Sequence, residues 1–590
     1  MRKVFPSKYL PHFKIVFYIG LMTKLLIGII LLSLSFASVA QPNRFDVVIT
    51  EIMADPSPVV GLPNAEYVEI KNVSTGPFNL NGWKLSDATS TATITSNFTL
   101  QPDSMAILCS TGNVSLLSGF GRTIGVSSFP SLDNDGDLVS LKSPQGKIIH
   151  AVNYTIDWYQ NEVKKDGGWS LEMIDTKNPC TEKNNWKASV DPGGGTPGRK
   201  NSVDGLNNDI APPQLIRTYS LDSVTVVALF DEPLDSLSAS IVSNYSMTNN
   251  AISVALPQVP LFNSVVLKLS SPLQKRTIYT LTINNVKDCK GNTIGVYNKA
   301  RAGIAEEALL NDVVINEILF NPRPNAYDYA EVYNRSDKIV DAGKLYIANR
   351  NSSGVLSSIK KLSETPFYIF PDDYIVVTED ALSLQHEYLV QNPQSVLVLS
   401  SLPSFPDDKG IVVITNSQGN VVDEVSYSEK WHFALISDDE GIALERIDPN
   451  DSSQKQSNWH SSASTAGYGT PTYKNSQFKQ SNAVNATIEV NPKVFSPDND
   501  GHDDIATISY QVAEAGYVAN ISIFDANGRL VRYFVKNALL GLKGSWNWDG
   551  LNENGQKLPV GMYIIYTEIF NLQGKKKQFK NTIVLTRNLN

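Results

Sequence analysis

Four carboxylates crowd the stretch Asp498-Asn499-Asp500-Gly501-His502-Asp503-Asp504. Ca²⁺ takes several oxygen ligands from a single loop, and Gly501 permits the tight turn such a loop needs, so these acids are a candidate structural Ca²⁺ site. Counting twelve positions from Asp498 reaches Ser509 rather than the Glu of an EF-hand, which places any affinity in the weak extracellular range of about 10⁻⁴ to 10⁻³ M. Asp-Asn-Asp-Gly is also good turn chemistry without an ion. Asp133, Asp135 and Asp137 repeat the pattern more sparsely around an Asn-Asp-Gly hairpin signal. A catalytic centre needs a nucleophile, a base and an orienting group, or a metal cluster. None of His150, His386, His432, His460 and His502 stands in a metal-spaced pair, and no G-x-S-x-G elbow, phosphate loop or dinucleotide fingerprint occurs. His432 and His460 each adjoin a Trp and could meet in space. Glu51 with Glu69, and Glu317 with Glu331, invite a paired-carboxylate reading, but each Glu alternates with apolar neighbours as on the solvated face of a strand. The expectation is therefore no enzyme and no other cofactor. Trp158, Tyr159 and Trp431, with Trp546 and Trp548, are candidates for an exposed sugar-stacking platform, whereas Trp83, Trp169, Trp186 and Trp459 read as core. A Cys109–Cys180 bridge and three buried thiols, counting Cys289, both remain open.

These residues are positioned by a repeat. Val48-Ile49-Thr50-Glu51-Ile52 recurs as Val314-Ile315-Asn316-Glu317-Ile318, and Glu66-Tyr67-Val68-Glu69-Ile70-Lys71-Asn72 as Asp328-Tyr329-Ala330-Glu331-Val332-Tyr333-Asn334. Asn185-Trp186 is echoed by Asn458-Trp459, and Gly195-Thr196-Pro197 by Gly469-Thr470-Pro471. Two copies thus span about 46–202 and 310–476. Within each, the apolar period is two, in β-branched and aromatic runs bounded by turns such as Leu80-Asn81-Gly82 and Ser417-Gln418-Gly419. The fold class is all-β, as tandem Ig-like β-sandwich domains. Asp380 to Val390 is the best candidate for a short helix.

In copy one, Glu51, Glu69, Asn72, Trp83, Asp87, Asp135, Gly136, Trp169, Trp186 and Gly198 carry a pattern that resembles the lamin tail domain, an Ig-like sandwich of nuclear lamins and of many secreted bacterial proteins. Copy two departs, with Gly343-Lys344-Leu345 where the Trp should stand and Asp407-Asp408-Lys409-Gly410 in place of Asp-Gly-Asp. After Ala211-Pro212-Pro213, residues 209–301 resemble the Ig-like spacer of bacterial surface-layer proteins, through Phe230-Asp231-Glu232-Pro233-Leu234-Asp235 and the turn Asp288-Cys289-Lys290-Gly291-Asn292. Residues 484–590 resemble the flagellar hook-capping Ig-like domain and the C-terminal sorting domains of type IX secretion substrates of Bacteroidota. The motifs are Phe495-Ser496-Pro497 before the acidic loop, Asn527-Gly528-Arg529, Trp548-Asp549-Gly550 and Gly561-Met562-Tyr563.

Lys24, the apolar run from Leu25 and the small residues Ser38-Val39-Ala40 form a Sec signal peptide cleaved between Ala40 and Gln41. Its 16 residues from Leu25 to Ala40 fall short of the roughly 20 that span a bilayer, so no transmembrane helix is expected in the mature chain. Removing five basic residues and no acid turns the net charge of −9 into −14, 45 basic residues against 59 acidic, which argues against nucleic acid as a partner. The reading is a non-catalytic, exported surface scaffold or adhesin. Its last domain would act with the outer-membrane secretion machinery, and its partner would be a cell-surface or extracellular protein or glycan. A carbohydrate- or matrix-binding accessory using the aromatic patches is the alternative, and an unrecognised secreted hydrolase or its accessory the third.

Overall fold

The computed structural model describes residues 41–436, 438–478, 486–572 and 575–587; the leader up to Ala40 lies outside the described residues. In the first copy, strands β1 (Val47–Met53), β2 (Tyr67–Asn72), β3 (Met105–Ser110), β4 (Thr123–Val126), β5 (Leu171–Met173) and β6 (Trp186–Ala188) form one sheet in the order β6-β5-β1-β2-β3-β4. A second sheet, from Lys84–Ser86, Thr91–Thr93, Gly136–Lys142 and Ile148–Thr155, packs against it. The second copy repeats the plan. Its strands β7 (Val313–Leu319), β8 (Tyr329–Asn334), β9 (Tyr374–Thr378), β10 (Val396–Val398), β11 (Leu444–Arg446) and β12 (Trp459–Ser461) run in the order β12-β11-β7-β8-β9-β10, and the final pair is parallel in both copies. The short helix Ala381–Glu387 follows β9, N-capped by Asp380, which accepts from the Leu382 and Ser383 amides.

Every residue of β1 and of β7 is buried. An antiparallel strand normally leaves one face to water, so something must cover the outer face of this sheet.

The tryptophans fill the interior. Trp83 and Trp186 are fully buried; Trp158 and Tyr159, at 5% and 3% exposure, join the same core. This corrects the expectation of a surface platform there: the turn Ile156–Tyr159 folds both rings back over the end of the sandwich, Trp158 packing 6.2 Å from Trp186. Trp431 lies 6.4 Å from Trp459 at the rim of the second core, and Trp548 is buried between Phe495 and Tyr563.

The spacer is built on sheets of four and three strands around its own core, and the last domain on sheets of three and five. Neighbouring sandwiches are pinned together. Cys180 is bridged to Cys289, linking the first copy to the spacer with their Cα atoms 6.5 Å apart. That pairing corrects both thiol alternatives drawn from the sequence. Cys109 instead sits alone on β3 in a small cluster with Met53, Tyr67 and Leu117, whereas Cys180 lies in a loop facing the spacer's Asp288–Asn292 turn. Beside the bridge, Arg44 donates to the carbonyls of Leu234 (2.8 Å) and Leu261 (3.2 Å) and stacks over Phe262. The spacer joins the second copy through a parallel pairing of Ala305-Glu306 with Ile339-Val340. The second copy meets the last domain where Gln477 donates to the Leu540 carbonyl and Phe433 packs with Val518 and Leu539.

Candidate functional site

The registers Glu51↔Glu69 and Glu51↔Glu172 set three carboxyl groups side by side across β5, β1 and β2, and Glu317↔Glu331 and Glu317↔Glu445 do the same across β11, β7 and β8. All six are without solvent exposure. The expectation that Glu51, Glu69, Glu317 and Glu331 lie on a solvated face is therefore corrected, and Glu172 and Glu445 join the set. The cover is the Gly-Thr-Pro segment, which crosses the sheet as a strap. Thr196 donates its amide to Glu51 (2.7 Å) and its hydroxyl to Glu172 (2.8 Å), and the Gly198 amide donates to Glu69 (2.6 Å). Ser170 and Tyr67 add hydroxyl donors to Glu51. In the second copy Thr470 donates to Glu317 and Glu445, the Thr472 amide to Glu331, and the Gln477 amide to Glu445.

The strap lies so close that a Cβ on Gly195 would meet Glu51 Oε1 at 2.7 Å. Gly198, at φ +78° against the Phe120 carbonyl, tolerates no side chain.

Burial, reinforced by the neighbouring carboxylate, pushes Glu51 up to about 7 and Glu69 and Glu317 to about 8. Burial also raises Glu331 and Glu445. Adjacent carboxyls out of water cannot all ionise cheaply, so Glu51, Glu69 and Glu317 hold protons near neutrality. Chemically the set is an internal latch, six buried carboxyls tied to the covering strap by hydrogen bonds.

Of the acidic loop, Asp498, Asp500 and Asp504 bring carboxylate oxygens within 4.8 Å of one another, whereas Asp503 stays outside the group, its backbone at φ +50°. Asp504 accepts the amides of Asp498 and Gly501, which holds its carboxyl below the usual range. Asp133, Asp135 and Asp137 do not converge: Asp137 is buried and accepts the Ala88 amide, and the other two serve the turn through their carbonyls, to Tyr154 and Ile156. A group unforeseen in the sequence, Asp209, Glu232 and Asp288, gathers at the first junction from three separate segments.

Residues 40–155 match the Lamin Tail Domain family model, and residues 488–585 that of the CHU_C Type IX secretion signal domain. The chain carries a lamin tail domain at one end and a type IX secretion signal domain at the other. Among solved structures it is similar to the N-terminal part of the bacterial S-layer protein SbsC, at 14% identity over 37% of this chain and 44% of that one, with a TM-score of 0.16. A DUF4876 family protein from Bacteroides thetaiotaomicron shares 11% identity over 35% of this chain and 83% of its own (TM-score 0.16). A tetra-tandem repeat from the extending region of a large adhesion protein shares 11% over 92% and 98% (TM-score 0.12). This chain spans less than half of the S-layer structure, and superpositions this poor carry no functional conclusion. No curated protein matches the chain.

The two copies solve one buried position differently. Where the β1–β2 register shifts between Ile49 and Glu51, the Ile49 amide donates to His150 Nδ1 (2.8 Å), whose Nε2 faces the Pro179 carbonyl at 3.1 Å. Burial holds this ring neutral, down to about 4. In the second copy the Ile315 amide donates to Asp423 Oδ2 (2.7 Å), and buried Arg446 completes the pair at 3.2 Å. The register puts Met173 at the position of Arg446.

The second copy also sets Ser461, His432 and Asp439 in a row, with Ser461 Oγ 2.9 Å from His432 Nδ1 and Asp439 3.8 Å from Nε2. Ser461 is fully buried and its Oγ already accepts the Phe433 amide, so the hydroxyl braces a loop where a nucleophile would need to face a substrate.

Among the described residues no helix is long and apolar enough to cross a membrane.

Proposed function

We propose that this chain is a non-catalytic surface scaffold or adhesin, exported by the type IX machinery of the outer membrane through its last sandwich, and that it meets an extracellular protein or glycan with the domains in front. The match of residues 488–585 to the type IX secretion signal domain carries this reading. The pinned junctions support the scaffold part, because a string of sandwiches with bridged and hydrogen-bonded joints holds its ends apart. Deleting residues 484–590 is expected to abolish surface delivery, read by surface biotinylation against total protein. A truncated chain that still reaches the surface would overturn the export role.

The same domain is proposed to hold a weak structural Ca²⁺ on Asp498, Asp500 and Asp504. At millimolar Ca²⁺, about tenfold above a Kd of 10⁻⁴ M, binding to the folded state alone contributes about 1.4 kcal/mol, equivalent to roughly 5–10 °C in a domain of about 100 residues. Calorimetry of the full chain should show the last domain's transition fall by that amount with chelator, and Asp500→Asn should erase the difference. A transition indifferent to chelator removes the site.

A further inference from the structure

A cleft of about 570 Å³ opens between the spacer and the second lamin tail copy. One wall is the spacer strands Leu215–Asp222 and Lys299–Ala302, and the other includes Phe367, Phe370 and the edge strand β10. Three cations line it, Arg217, Lys299 and Arg301, against one carboxylate, Asp373. Arg301 is engaged, its fork on Asp373 at 3.0 and 2.7 Å. Arg217 is half-buried and donates only to the Pro366 carbonyl (3.3 Å) and the Thr365 hydroxyl (2.9 Å). Neither Arg217 nor Lys299 forms an ion pair among the described residues. In a chain of net charge −9, carboxylates are abundant, yet Asp341 acts on Arg217 only through space and forms no ion pair with it. A half-buried guanidinium without a counter-ion is costly, and such a fork matches a planar carboxylate.

The rest of the lining is a flat ring and small polar groups. Tyr297 is 60% exposed at the cleft, with the Gln394 amide and the Ser395 hydroxyl across from it. A ring for an apolar sugar face, amide and hydroxyl for sugar hydroxyls, and unpaired cations for an acid are the chemistry of one ligand class. An acidic peptide would need a free strand edge for register, and β10 offers only three residues.

We propose that this cleft binds an acidic oligosaccharide, its carboxylate held by Arg217 and Lys299 and its ring face laid on Tyr297. The inference rests on the exported reading, since such a glycan is met outside the cell.

Purified mature full-length chain titrated with oligogalacturonate and with oligomannuronate should show saturable binding to at least one. A neutral galactan should give none, and added salt should weaken binding. Lys299→Gln, which breaks no internal contact, and Arg217→Gln should each weaken it about tenfold or more, the loss of one charge-assisted hydrogen bond; melting curves confirm that both variants fold. Absence of saturable binding to either uronate, an unchanged affinity in Lys299→Gln, or equal binding of the neutral galactan or of poly-glutamate would each overturn the proposal. Surface delivery is measured separately, so a chain that is exported but binds neither uronate refutes the cleft alone, and one that binds but is not exported refutes only the export reading.

Discussion

Raising the pH from about 6.5 to about 9 is expected to lower the stability of the first lamin tail copy by a few kcal/mol, because buried carboxyls with raised pKa values lose their protons in that interval. Glu51 and Glu69 titrate near 7 and 8 in the fold against an ordinary 4.5. Between those values the folded chain binds more protons than the unfolded one. The stabilisation is thus complete below about 4.5 and is lost as the pH rises through 7 to 8. Glu317, near 8, imposes the same slope on the second copy. His150 works in the opposite sense: its pKa is depressed from 6.5 to about 4, so its contribution is present above about 6.5 and is lost as the pH falls through that interval. Stability should therefore peak at mildly acid pH. Glu69→Gln, uncharged at every pH, should flatten the alkaline fall of the first copy in calorimetry while leaving the second copy's slope. A melting temperature that holds or rises toward pH 9 would exclude protonated carboxyls under the strap.

Loss of the Cys180–Cys289 bridge should have an effect at least as large. It closes a loop of 109 residues, for which chain entropy gives about 4–5 kcal/mol when the whole loop unfolds together. The first copy and the spacer each own a core, so part of that sum emerges as separation of their transitions and a loosened joint. Cys289→Ser, or reductant on the native chain, should lower and split the first melting transition and make the exposed stretch around Leu206 and Ile210 a preferred site of proteolysis. Thiol labelling of the unreduced, denatured chain should find Cys109 alone. Three reactive thiols would rule the bridge out.

Much of the architecture was legible from residues. The period of two in β2 needs only neighbours along the chain, and the duplication shows as matched motifs, so all-β class and tandem sandwiches could be read before any contact was known. The carboxyl latch escaped because its two halves are far apart: Glu51 and Thr196 are separated by 145 positions, and alternation along a strand tells nothing about what later covers its outer face. A usable signal was present all the same. Glutamates and Gly-Thr-Pro recur together in both copies, and a solvated glutamate has no reason to travel with a distant turn. Trp158 and Tyr159 misled for a related reason, since exposure depends on whether a turn folds inward. The bridge linking Cys180 to Cys289 runs between domains, which spacing within one domain cannot anticipate. Among the acids of the last loop, Asp503 was grouped with its neighbours by proximity in sequence, yet the left-handed turn carries it away from them.

The His150 and Met173 pair of one copy answers the Asp423 and Arg446 pair of the other. Either solution satisfies the orphan amide, but neither tolerates a half exchange: Arg446→Met alone would strand a buried aspartate, at about 3–5 kcal/mol. Between two similar tracts of one gene, unequal crossing-over and gene conversion tend to erase differences. Here any conversion tract that ends between the codons of the two partners would leave one buried charge without its counter-ion. That mismatch would act as a barrier to homogenisation, leaving each copy free to accumulate its own surface.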